Sequence, residues 1–443
     1  MPHNKLISTS RVTWMQFNLL RIKACLICLV FFTSFSALSQ NIIYMIGDGM
    51  GPNYLTAYRY WLQKNPNKQI DQTIFDELWT GMAKTHPDDN TFITDSASAA
   101  TALNTQVKSY NGAISVTADQ TPLTTILEKS KKLNYTNAIV VTSQITHATP
   151  AAFYAHQELR KQYPQIADQI VDNKINNQPI LDLMLGGGIK DLIRDDRNIL
   201  AELQQLGYQT QADYAKLDQL NKLPAAGIYF DKGFPSAIDE YPNRLADMTE
   251  KALSLLASTN KFFLMVESSQ IDWCGHSNDI ACALAEMNDF AKAIKIAKHY
   301  VDTHPDTQLV ITADHETGGL SIGSDGVYKW QTQYIDQTKS SIRVASKALF
   351  SAKSLAKTWS KYFQFELEET NLQALTKLQK AGDEKQFKQK LTQYINEKSF
   401  TGWTSGGHTA ADVPILSYGK HSQLFSGFMD NTEIAKKLDS LLR

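Results

Sequence analysis

Four short apolar runs, residues 41–46, 138–142, 262–266 and 308–313, recur along the chain with helical stretches between them. Runs of this length without polar alternation read as strands buried on both faces. Strands alternating with helices pack as a mostly parallel central sheet with helices on both faces, so the expected fold class is α/β. The residues that end these runs constrain function. The first run ends in Gly47-Asp48-Gly49-Met50-Gly51, the third in Glu267 and the fourth in Asp314-His315; Asp272 and His276 come one loop after the third. Ligands of open α/β sheets sit at the carboxyl ends of the strands. Carboxylates gathered there would repel one another, and some would stay protonated, unless cations neutralise them. Imidazole with carboxylate suits zinc, and oxygen-only sets suit magnesium.

A second stretch supplies a nucleophile. In residues 94–102 a serine, Ser96, follows Asp95, and small residues then run for two helical turns. Small side chains let a helix start press against a sheet with its first N–H groups open, a setting that favours phosphate. A serine there is a poor nucleophile until a metal or a base takes its proton. Two cations about 4 Å apart suit the attacking and leaving oxygens of a phosphoryl transfer, and an arginine can clamp two phosphoryl oxygens.

The remaining segments fill in an architecture. Residues 81–86 read as a strand. Thr121-Pro122 reads as a cap and first-turn proline opening a helix to about Leu133. Thr146-His147-Ala148-Thr149-Pro150 comes after the second run, and Arg160 is expected on a helix. Leu185-Gly186-Gly187-Gly188 reads as a structural loop, because no Lys-Ser/Thr follows it as in a phosphate-cradling turn. Residues 242–258 have a helical pattern, and Ile280, Leu284, Met287 and Ile294 mark one face of a long helix. From about 320 to 400 glycine becomes scarce, lysine frequent and the pattern helical (Leu372, Leu375, Leu378). This is expected to be an inserted, surface-facing subdomain whose lysines form a solvated face. Residues 413–418 read as a strand whose proline suggests an edge or a strand start.

The 443 residues suffice for one large α/β domain or two smaller ones; 43% are hydrophobic and 20% charged, the balance of an ordinary globular protein. Net charge is −1; without Lys5, Arg11, Arg21 and Lys23 it is −5, so no field for nucleic acid is implied. Residues 1–39 read as a signal peptide: Arg21 and Lys23 precede an apolar run, 24–38, and Ala37-Leu38-Ser39 offers a cleavage site. The competing reading, a membrane anchor, needs about 20 apolar residues. Cys25 and Cys28 both lie within the run, not after it, as a lipoprotein site requires. These features imply a periplasmic or secreted location. The chain past residue 39 keeps Cys274 and Cys282, which either bridge or leave Cys274 a buried thiol between two candidate ligands.

Taken together, Ile46-Gly47-Asp48-Gly49-Met50-Gly51, Thr94-Asp95-Ser96-Ala97, His147-Ala148-Thr149-Pro150, residues 267–276, Ala313-Asp314-His315-Glu316-Thr317-Gly318-Gly319 and Gly406-Gly407-His408-Thr409 closely resemble the alkaline phosphatase family. The likeness runs in order from about residue 41 to the end, so residues 40–443 are expected to form the catalytic domain. The resemblance implies a phosphomonoesterase with two Zn2+ and one Mg2+ per chain, acting on small phosphate monoesters, without a stable membrane anchor, as a homodimer. It implies that Ser96 is phosphorylated and also meets a zinc. Asp272, His276 and His408 would hold the first zinc; Asp48, Asp314 and His315 the second; Asp48, Thr149 and Glu267 the magnesium. Asp95 would orient the phosphate-binding arginine, for which Arg160 is the best match. The segment 320–400 takes the place of the family's crown. His147 and Trp273 stand where some bacterial members have aspartate and lysine, near the magnesium and the phosphate.

Two other readings compete. One is another hydrolase of the same superfamily, such as a phosphodiesterase or a sulfatase; Ala97-Ser98-Ala99-Ala100 lacks the Pro and Arg that a sulfatase nucleophile requires. The other is a phosphate- or metal-binding protein without catalysis, which has no need of Ser96.

Overall fold

Among the described residues, ten strands make the main sheet: β1 Asn41–Gly47, β2 Trp79–Lys84, β3 Thr136–Gln144, β4 Leu183–Gly187, β5 Gln209–Gln211, β6 Ala225–Ile228, β7 Phe262–Ser268, β8 Thr307–Ala313, β9 Val413–Tyr418 and β10 Gly427–Asp430. Their spatial order is β10-β2-β9-β8-β1-β7-β3-β4-β6-β5. Only β9 runs antiparallel to its neighbours. This computed structural model describes Met1, residues 40–63 and residues 69–442. The expected signal peptide, and the anchor that competes with it, therefore lie outside the described residues. No helix among the described residues is long and apolar enough to cross a membrane.

The centre of the sheet is β8-β1-β7-β3, where the apolar runs lie. Every residue of β7 and β8 is buried. Strands covered on both faces have no solvated side to alternate towards, hence their unbroken hydrophobicity. One covering helix is Ile280–Thr303, whose Ile280, Leu284, Met287 and Ile294 are all buried. Arg244–Leu256 packs beside it, with Arg244 fully buried against Glu286 and Asp289 at 2.7 and 3.2 Å. Cys274 and Cys282 are joined by a disulfide, which settles their pairing.

Several local expectations are corrected. The helix foreseen from Thr121 begins at Ile126, because Thr125 and Glu128 form a reciprocal capping box, whereas Pro122 bridges to Val116 in a loop. Arg160 lies in a turn between the helices Ala148–Tyr154 and Tyr163–Asp172; its N–H donates to the Gly112 carbonyl at 2.8 Å, which ties that turn down. Leu185 to Gly187 belong to β4, where a side chain on Gly187 would run into the Lys232 carbonyl; only Gly188 turns, with φ +112°. Strand β9 is interior, between β8 and β2, so the edge reading of Pro414 fails and the strand-start reading stands. Pro414 is the second residue of β9, past the last pairing with β8 at Ile415.

The segment 320–400 has a hydrophobic core of its own. Ile342, Leu349, Trp359, Phe363, Leu375, Phe387 and Leu391 are buried together, with Leu372 and Leu378 packed against them. Its ends meet where Leu320–Ile322 pairs with Thr401–Trp403.

Candidate active site

Ser96 opens the helix Ser96–Thr105, and Asp95 caps it: Asp95 Oδ1 accepts from Ser98 N at 3.0 Å. Ala97, Ser98, Ala99 and Ala100 are buried. Asn104 on this helix donates to the Ala152 carbonyl of Ala148–Tyr154 at 3.0 Å, which places the segment bearing His147 and Thr149 alongside. Asp95 also accepts from Gly112 N at 3.1 Å and from Arg160 Nη1 at 3.0 Å. One carboxylate thus fixes both the helix start and the arginine, and the positive charge of each can act on one anion. Arg160 Nη2 lies 3.4 Å from His147 Nε2.

The strand ends bring the remaining groups to Ser96. Its Oγ is 3.1 Å from His315 Nε2. That nitrogen is also 3.5 Å from Asp48 Oδ1 and 3.2 Å from Asp314 Oδ2. The tautomer is set by the network. Thr317 Oγ1 has one proton and gives it to Asp272 Oδ1 at 2.6 Å, so at 3.2 Å from His315 Nδ1 it accepts. His315 Nε2 therefore presents a lone pair to two carboxylates. His276 and His408 repeat the pattern. Their Nδ1 atoms donate to the carbonyls of Gly406 and Thr94, both at 2.8 Å. Their Nε2 atoms face each other at 3.2 Å, and lie 3.3 and 3.5 Å from Asp272 Oδ1. A third group gathers Asp48, His147 and Glu267.

Such convergence of acceptors leaves several of them without a partner among the described residues. Both Asp48 oxygens, Asp314 Oδ2, Glu267 Oε1, Thr149 Oγ1 and His147 Nδ1 are buried without a hydrogen-bond partner. Orphaned polar atoms of this kind are costly unless something unseen satisfies them. The pKa shifts describe the same frustration. Burial, with the charges of Asp314, Asp272 and Glu267 behind it, pushes Asp48 well up. Burial lifts Glu267 to about 8 against a hydrogen bond from Ser269, and Asp314 to about 6. Burial and then the Arg160 charge push His147 down to about 3. His408 moves up instead: burial opposes its proton, but the hydrogen bond and charge of Asp272 outweigh it. Protons or cations relieve this frustration, and the nitrogen and oxygen donor sets fit divalent metal ions.

The structure brings together Asp48, Ser96, Asp314 and His315; Asp272, His276 and His408; and Asp48, His147 and Glu267. Arg160 and Asp95 border Ser96, and Thr149 lies beside Glu267. Trp273 stands apart from the ligand atoms, its ring edge-on to His147 at 5.9 Å and close against Gly233. Residue-by-residue reading missed the roles of Thr317, which orders two ligands, and Asn111, which accepts from Asp95 N at 2.7 Å. It also missed Glu316, which accepts from Gly319 N, Leu320 N and Thr409 Oγ1 and so holds the His408 loop in place. Thr317 and Glu316 adjoin two ligands in sequence, a signal that was there to read; Asn111 left none.

Fold and site together define the class: a phosphoester hydrolase built on an α/β sheet, with a buried serine at a helix start facing carboxylate and imidazole groups at the strand ends. A family model described as alkaline phosphatase matches residues 39–443. The chain belongs to the alkaline phosphatase family and is an enzyme of that family. It is 39% identical to alkaline phosphatase 3 of Bacillus subtilis (strain 168), over 91% of this chain and 89% of that one. The cold-active alkaline phosphatase from a psychrophilic Shewanella sp. superposes with a TM-score of 0.86 at 40% identity, covering 91% of this chain and all of that one. A histidine-to-aspartate mutant of the alkaline phosphatase from the Antarctic bacterium TAB5, described with Mg bound in its M3 site, aligns at 26% identity and a TM-score of 0.67, covering 91% and 99%.

Proposed function

We propose that the chain is an exported, metal-dependent phosphomonoesterase that works through a phosphoserine at Ser96. The observation that carries this reading is the placement of Ser96 Oγ at a helix start, 3.1 Å from a lone-pair nitrogen of His315 and bordered by an arginine locked to Asp95. Asp272, His276 and His408 would hold one zinc ion, and Asp48, Asp314 and His315 a second. Asp48, Glu267 and Thr149, beside His147, would hold a magnesium ion. Bound there, the metals supply Lewis acidity that lowers the serine pKa and neutralises charge on the leaving oxygen.

The chain's own groups do the rest. Arg160 donates to two phosphoryl oxygens and turns the phosphorus towards Ser96. Asp95 keeps the guanidinium from swinging away. Ser96 Oγ loses its proton and bonds to phosphorus as the bond to the leaving oxygen breaks; that oxygen departs as the alcohol. Water then attacks the same phosphorus, the Ser96–phosphorus bond breaks, and inorganic phosphate leaves. The buried ligands keep this geometry fixed.

The disulfide accords with an oxidising, periplasmic or secreted location, and assembly as a homodimer belongs to the same reading. The test is to incubate the metal-loaded protein with a labelled phosphate monoester in mild acid and locate the label. Recovery on Ser96, and its absence in Ser96→Ala, is expected. Near-normal turnover in Ser96→Ala would overturn the serine's role; a residual rate several orders of magnitude lower would not.

A further inference from the structure

A large cleft opens beside the candidate site, between it and the segment 320–400. Its volume is about 1220 Å³, and its lining includes His276, Gly406 and Trp403. His276 is also a candidate metal ligand, with its side chain 41% exposed, so the cleft begins where a bound ester's leaving group must emerge. Two helices of the segment form the far wall, Ile342–Phe350 and Glu384–Ser399. They bring Arg343, Lys347, Lys385 and Lys388 into the lining.

The lining holds four basic side chains, Arg343, Lys347, Lys385 and Lys388, against three acids. Of the three acids in the lining, Asp325 accepts from Ser324 Oγ at 2.9 Å and Glu397 from Gln393 Nε2 at 2.6 Å. Glu384 sits in the first turn of its helix, where a negative charge is favoured. Arg343 is 3.8 Å from Asp239. No carboxylate among the described residues forms a salt bridge with Lys347 or Lys385, while the charge of Lys388 acts on the buried Asp279 carboxylate. Glu384, four residues before Lys388 on the same helix, and the buried Asp279 offset part of the repulsion among these like charges.

The wall is anchored as well. Asp279 accepts from Ile342 N at 2.6 Å, and Asp239 accepts from Ser340 Oγ, Ser341 N and Ser341 Oγ at 2.7, 2.8 and 2.7 Å. Both carboxylates come from the main body and hold the first of the two helices at its start. At the second helix, Asn396 donates to the Asn278 carbonyl at 3.0 Å and accepts from Trp403 Nε1 at 3.1 Å. A wall held at both helices is pre-formed, and pre-forming a site reduces the ordering cost of binding.

We propose that the cleft is a leaving-group subsite for phosphate monoesters that carry a second anionic group, such as a second phosphate. The proposal rests on the phosphomonoesterase reading above. The scissile phosphate sits at Ser96 and Arg160 while the distal anion meets Lys347, Lys385 and Lys388. The cleft is larger than the usual 300–1,000 Å³ of ligand pockets, so it admits an extended, polar leaving group.

The test compares kcat/KM for a hexose bisphosphate and the matching hexose monophosphate, with p-nitrophenyl phosphate as control. The variant is Lys347→Gln/Lys385→Gln/Lys388→Gln, and the metal-loaded full chain is used. The bisphosphate preference is expected to fall by about tenfold, since each exposed charge contact accounts for about a two- to fivefold change. The loss should appear in KM, while p-nitrophenyl phosphate hydrolysis stays within about twofold. An unchanged preference with p-nitrophenyl phosphate activity intact overturns the subsite alone. Failure of the parent to hydrolyse any of the three esters overturns the underlying reading and the subsite with it. If the triple variant also loses p-nitrophenyl phosphate activity, the exposed single change Lys385→Gln decides by the same ratio: a fall of twofold or more supports the subsite, and no change overturns it.

Discussion

Glu267 makes the metal-free protein respond to pH in an unusual direction. Its carboxyl is lifted from 4.5 to about 8 in the folded chain, first by burial. A raised carboxyl pKa means that the folded state binds a proton the unfolded state has already lost. Stability therefore rises as pH falls from about 8, at up to about 1.4 kcal/mol per pH unit for one proton. Below about pH 6.5 the sign is contested, because His147 and His315 stay neutral in the fold and bind protons only when unfolded. The clean window thus gives about 2 kcal/mol for Glu267. His156, His408 and Asp48, all raised, contribute in the same direction, so the difference between parent and Glu267→Gln reads Glu267 together with its effect on Asp48. The neutral amide removes the titrating proton and keeps the shape. Urea unfolding of chelator-treated protein, followed by tryptophan fluorescence across this window, measures both slopes. The parent should gain about 2 kcal/mol more than the variant on going to the lower pH, and excess zinc and magnesium should abolish the difference. Equal slopes in the metal-free parent and variant would refute the idea that Glu267 is a frustrated buried acid awaiting a cation.

Three further outcomes are expected. His408→Ala removes one of three nitrogen and oxygen donors around Asp272, so activity should come to depend on added zinc; two zinc ions retained per chain as tightly as in the parent would remove His408 from the ligand set. Arg160→Ala should weaken inhibition by inorganic phosphate and lower kcat/KM by about 1–3 kcal/mol, the range for a charge-assisted contact, and unchanged inhibition would point to another arginine. The double change His147→Asp with Trp273→Lys adds a carboxylate to the group of Asp48 and Glu267 and a cation beside it, so magnesium binding and phosphate inhibition should tighten while maximal turnover slows. Phosphate affinity that stays level or falls would show that neither residue tunes the site.

The sequence by itself determined the α/β class, the apolar strands at the centre of the sheet, and the acids and histidines that follow them. Strands buried on both faces must be apolar throughout, so β1, β7 and β8 were visible as runs, and the candidate ligands were legible because they stop those runs. It also marked the long helix Ile280–Thr303, because one helical face must be apolar to cover the sheet. Tertiary structure decided what depends on distant partners. Pro414 ended inside the sheet because pairing with β8 stops one residue later, a fact of register. Arg160 ended in a turn because its N–H meets Gly112, a contact 48 residues away in the chain. The pairing of Cys274 with Cys282, the ordering of His315 and Asp272 by Thr317, and the docking of the segment 320–400 through Asp239 and Asp279 likewise come from proximity in space. Local patterning records which face of an element is buried. It does not record which groups from other elements arrive there, and at this site those arrivals set the tautomers, the pKa values and the cleft.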